Sequence, residues 1–86
     1  MQRAHGLTKQ AAMEAALRIA ERARDKAQAQ FTVHGDVIEL ERSGGKGKIT
    51  VTDTTVVVEI ALPFLLRPMR SMLEGKIEEY FERYFK

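Results

Sequence analysis

The chain contains no cysteine, which excludes disulfides, thiolate metal sites and thiol nucleophiles together and fits a cytoplasmic setting. It has no tryptophan, two prolines and two histidines. His5 and His34 would need further ligands to hold zinc, and neither HExxH nor any paired-ligand spacing accompanies them. Both are expected on the surface. No apolar run approaches the roughly 18 residues that would span a bilayer. The opening Met1-Gln2-Arg3-Ala4-His5-Gly6 lacks the hydrophobic stretch of a secretory signal, so the expected address is the cytoplasm.

Catalytic constellations are missing too. Ser43 lacks a nucleophile-elbow context, and a Ser–His–acid triad would have to use one of only two histidines. Glu78 and Glu79 are neighbours on a helical segment, about 100° apart, and do not converge as a catalytic carboxylate pair would. The turn Ser43-Gly44-Gly45-Lys46-Gly47-Lys48 joins two strands rather than a strand and a helix, so it is a hairpin and not a phosphate loop. No catalytic residue, cofactor or metal ligand is expected, and the chain reads as a non-enzyme.

What is present is a small domain. Eighty-six residues make one domain, 1–86, that buries only roughly 60–65% of its unfolded surface. Its core is therefore thin. The net charge is +2, from 14 basic and 12 acidic residues. The basic excess gathers at Arg18, Arg22, Arg24 and Lys26, where it complements the end of a helix dipole. With Lys46 and Lys48 these residues could form a weak nucleic-acid-binding patch. The wet face of the strand region has no aromatic platform for stacking bases, which disfavours that alternative.

The periodicities divide the chain into helix, strands and helix. Residues 1–7 are expected to be flexible. Ala12, Ala16, Ile19, Ala20, Ala23 and Ala27 recur at spacings of three and four, predicting a helix over 8–30 with Thr8 as N-cap. The alanine stripe lets that helix lie close on a sheet. Period-two alternation predicts strands over 31–34, 37–42, 47–53 and 55–62, with turns at Gly35-Asp36, at the glycine cluster and at Asp53-Thr54. Glu39, Glu41, Lys48, Thr50, Thr52 and Glu59 fall on the wet face. A second helix over 68–85 starts near Pro68. Gly75 inside it costs about 1 kcal/mol relative to alanine, tolerable if something packs closely there. The expected fold is α+β: a two-layer sandwich of helix, antiparallel meander of three to four strands, and helix, both helices on one sheet face.

The entry to the second helix is the least ordinary segment. Leu62-Pro63-Phe64-Leu65-Leu66-Arg67-Pro68-Met69-Arg70-Ser71-Met72-Leu73 carries two arginines and no acid. Cations at a helix N-terminus oppose its dipole by roughly 0.3–1 kcal/mol, so something other than helix energetics selects them. Phe64, Leu65, Leu66, Arg67, Met69, Arg70 and Met72 form the candidate interaction surface.

Several short motifs carry a family resemblance over nearly the whole chain. They are His5-Gly6-Leu7-Thr8 before the first helix, the Gly35-Asp36 turn, Glu41-Arg42-Ser43-Gly44, Gly47, and the 62–68 exit. Together they resemble the small bacterial polyhydroxyalkanoic acid system proteins. Two departures are the segment Gln30-Phe31-Thr32-Val33-His34, where an aromatic residue is expected just before the Gly-Asp turn, and Pro63, where glycine is expected. The resemblance implies a non-enzymatic accessory of storage-polyester metabolism. It would act by binding a hydrophobic polyester granule or a protein partner, with a homodimer also possible. The alternatives are the nucleic-acid-binding module and a homodimeric structural protein.

Overall fold

The computed structural model describes residues 2–42, 44–62 and 64–85, the side chains of 64–66 excepted. Its elements are β1 (Gln2–Ala4), α1 (Lys9–Ala27), β2 (Gln30–His34), β3 (Val37–Arg42), β4 (Gly45–Val51), β5 (Thr55–Ala61), a 3-10 turn (Phe64–Met69) and α2 (Arg70–Tyr84).

The Thr8 hydroxyl accepts the Ala11 N–H at 3.1 Å and caps α1, satisfying one of its orphan donors. Ala12, Ala15, Ala16, Ile19 and Ala20 are its buried stripe. With side chains this small, α1 settles closely over β2, β3 and β4. It ends at Ala27 rather than 30. Gln28 turns left-handed at φ 58°, its N–H reaches Arg24 O at 3.0 Å, and Ala29 N–H reaches Ala23 O at 3.3 Å. These bonds close the helix end on the Ala23 and Arg24 carbonyls and release Gln30 into β2. At the other end, Lys9 and Asp36 pair at 2.6 Å, tying the start of α1 to the β2–β3 turn.

All neighbouring strands are antiparallel, in the order β1-β5-β4-β3-β2. Ile38, Ile49 and Val58 stand in one cross-strand row, and Val51 faces Val56. These residues, with the α1 stripe and Phe81, form the core. Alternation sends Glu39, Lys48 and Glu59, in register with one another, to the open face. β4 begins at Gly45, earlier than the expected 47, where a Cβ would stand 3.3 Å from both Arg42 O and Leu62 Cδ2. It ends at Val51 because the Thr52 hydroxyl accepts the Thr55 N–H at 2.9 Å and closes the next turn.

The sheet has five strands, not three to four. The fifth is Gln2–Ala4, which pairs with Val57, Val56 and Thr55 instead of remaining flexible. Three residues carry no readable alternation, and what holds them is tertiary. His5, expected on the surface, is buried at 8% exposure. Its backbone N–H donates to Thr54 O at 2.9 Å. Its Nδ1 accepts the Leu7 N–H at 3.2 Å, which leaves the proton on Nε2 to donate to Thr52 O at 2.9 Å.

The two helices share one core but do not contribute to it equally. α1 rests on β2–β4, while α2 packs against α1 and the 3-10 turn and reaches the core through its second half. Phe81 is the buried residue of α2. Its ring lies 5.6 Å from the Arg3 guanidinium of β1 and edge-on to Phe85 at 5.3 Å. Docking is concentrated in the second half of α2, and Arg70, Ser71, Met72, Gly75 and Lys76 in the first half are exposed. α2 also starts at Arg70 rather than 68, with Pro68 inside the preceding turn. Among the described residues nothing lies within 4 Å of a Cβ built on Gly75, so no close contact there explains that glycine.

Candidate interaction surface

The candidate surface begins in the 3-10 turn and runs onto the first turn of α2. Tight 3-10 geometry brings the chain out of β5 and continues directly into α2 through Met69, at φ −84° and ψ −3°. The continuation supplies local bonds where no side chain caps the helix. The first turn of α2 has no acidic residue. The positive end of the helix dipole, Arg67 and Arg70 therefore share one region. Arg70 Nε donates to Glu74 Oε1 at 3.1 Å, which offsets part of that charge one turn later.

Met69 is 41% exposed and Met72 57%. Among the described residues, the exposed large hydrophobics are these two and Val33. Met69 and Met72, three residues apart, fall on the same side of the chain as it enters α2, flanked by the exposed Arg67 and Arg70. Ile60, Ala61 and Leu62 line a shallow depression together with the two arginines. Thioether side chains are flexible and polarisable, suited to irregular apolar surfaces. The side chains of Phe64, Leu65 and Leu66 lie outside the described residues. The arrangement is equipped to adsorb an apolar surface beside weak negative charge.

Arg24, Lys46 and Lys48 lie outside this surface. Arg24 stacks over Phe31 at 5.6 Å and pairs with Asp25 at 3.3 Å. Lys46 and Lys48 point to the open sheet face, away from α1, opposite Glu41 and Glu39. The candidate nucleic-acid patch is thus split between two faces and interleaved with acids. His34 is exposed, its Nε2 3.8 Å from Glu39. The residue that sequence reasoning missed is His5, whose role depends on residues 47 positions away. The only local signal was its place just before the α1 cap.

No curated protein and no solved structure matches the chain. The family model described as "Putative polyhydroxyalkanoic acid system protein" matches residues 1–85. With that match over almost its full length, the chain belongs to the polyhydroxyalkanoic acid system protein family.

Proposed function

We propose that this protein is a non-enzymatic accessory of polyhydroxyalkanoate storage metabolism that adsorbs to the hydrophobic granule surface through the entry to α2, in the cytoplasm. The observation that supports this is the exposure of Met69 and Met72 beside Arg67 and Arg70. An apolar pair at a helix entry, flanked by cations, matches an apolar polyester surface whose chain ends are carboxylates. Family membership points to the same polymer. Neither methionine is needed to fill the core, because the core cluster and the residues packed on it omit both.

Purified granules co-sedimented with the full chain test the proposal. Wild type is expected in the pellet, and Met72→Asp and Met69→Asp in the supernatant with unchanged circular dichroism. Raising the salt weakens retention without abolishing it, because the apolar part is not screened. Equal recovery of wild type and both variants with the granules would end the proposal.

A further inference from the structure

We infer that β2 is a self-complementary sheet edge through which two copies of this chain pair antiparallel, joining their sheets into one continuous layer. β2 is the outermost strand on its side of the sheet. Long free edges are ordinarily blunted by lysine, proline, a bulge or a covering element, because they invite pairing with another chain. Gln30-Phe31-Thr32-Val33-His34 has no lysine, no acid and no proline. Its register with β3 runs without a bulge, and every residue but Phe31 is exposed. Val33 is exposed to 43%, beyond anything a buried strand needs. The opposite border is different: β1 has only three residues and carries Arg3. One edge is managed and the other is left open.

The backbone defines the register. The two-residue turn Gly35-Asp36, with Gly35 at φ 58°, is of the type that places a glycine first. His34 and Val37, which flank it, are then the hydrogen-bonded pair. By alternation Thr32 and Gln30 also bond toward β3, and the N–H and C=O groups of Phe31 and Val33 point outward. Antiparallel pairing centred on Thr32 sets Phe31 of each copy opposite Val33 of the other, so the outward groups meet as hydrogen-bonded pairs. The same parity keeps side chains on matching faces. Phe31 meets Val33 on the helix-bearing face; Thr32 meets Thr32, and Gln30 meets His34, on the open face. Aromatic with β-branched and threonine with threonine are favourable cross-strand pairs, and no like charges stand opposite. The contact is isologous and closes after two copies, and the short β1 edge does not extend it.

The chain has no cysteine of its own, so a single introduced thiol reports contact between copies. Thr32→Cys places the two sulfurs on the two-fold, with Cα atoms about 4.5 Å apart and within disulfide reach. On mild oxidation it should give a covalent dimer, whereas Lys48→Cys, exposed in mid-sheet on the same face, should not. Sedimentation of the wild type is expected to show a reversible dimer that grows with concentration. Thr32→Lys faces Glu39 within its own fold, so the fold is retained, but it opposes itself across the two-fold. It should weaken association by about tenfold or more. An equimolar mixture of T32K and T32E should restore it. A wild type that stays monomeric at millimolar concentration would overturn the inference. So would a dimer that T32K leaves intact, or equal cross-linking of the two cysteine variants. This interface does not rest on the granule proposal, and either test can fail alone.

Discussion

Phe81→Ala removes the one described α2 side chain that is buried, at 1% exposure. A truncated core phenylalanine costs about 3–5 kcal/mol through lost transfer free energy and the cavity left behind. The edge-on contact with Phe85 and the Arg3 guanidinium beside the ring add about 1 kcal/mol between them. An 86-residue domain has roughly 4–13 kcal/mol in all, so this change removes a large share. The two tyrosines are Tyr80 and Tyr84, both on α2 and flanking the site, and with no tryptophan their fluorescence reports its docking. At a urea dependence of about 1.3 kcal/mol per molar, the tyrosine transition should fall by about 3 M in Phe81→Ala. Phe81→Leu keeps most of the volume and should shift it by about 1 M or less. A Phe81→Ala midpoint within about 0.5 M of wild type would refute the claim that this ring holds α2 to the rest of the fold.

Gly75→Ala should stabilise by about 0.5–1 kcal/mol in thermal unfolding, because the added methyl meets open space and the unfolded chain loses freedom; a lower midpoint would mean that the position is crowded after all. His5→Ala should cost about 2 kcal/mol, since it strands the Leu7 N–H and removes the bond to Thr52 O, and the amide of residue 5 should exchange faster; an unchanged exchange rate would show that the imidazole does not help to hold this segment to the sheet. Asp36, by hydrogen bond and then by charge, raises Lys9 above the ordinary lysine value of 10.5. The sign follows: its stabilisation is complete below that value and is lost as pH climbs through the raised one. The small melting-point deficit of Lys9→Met at neutral pH should therefore shrink as the pH climbs through the raised value, and a deficit that does not change with alkaline pH would assign it to packing instead.

The local part of this fold is written locally. Alanines at spacings of three and four, and Thr8 ahead of them, announce α1 because helix periodicity and capping act within one or two turns. Alternation over Ile38, Ile49, Val56 and Val58 announces the meander and its wet face for the same reason. Family membership was legible from short motifs spread along the chain. The cation-flanked apolar composition of residues 64–72 was equally visible, because it conflicts with what a helix N-terminus favours. None of this reached β1. Gln2–Ala4 becomes a strand only because β5 leaves an edge free and His5 bonds across to Thr52 and Thr54. Nor could it separate Phe81 from Met72, since an apolar face wide enough for the core and one wide enough for a partner follow the same 3.6-residue period. The difference was decided by where α1 had already covered the sheet. That coverage leaves the second half of α2 to dock on the core, and Met69 and Met72 in the open.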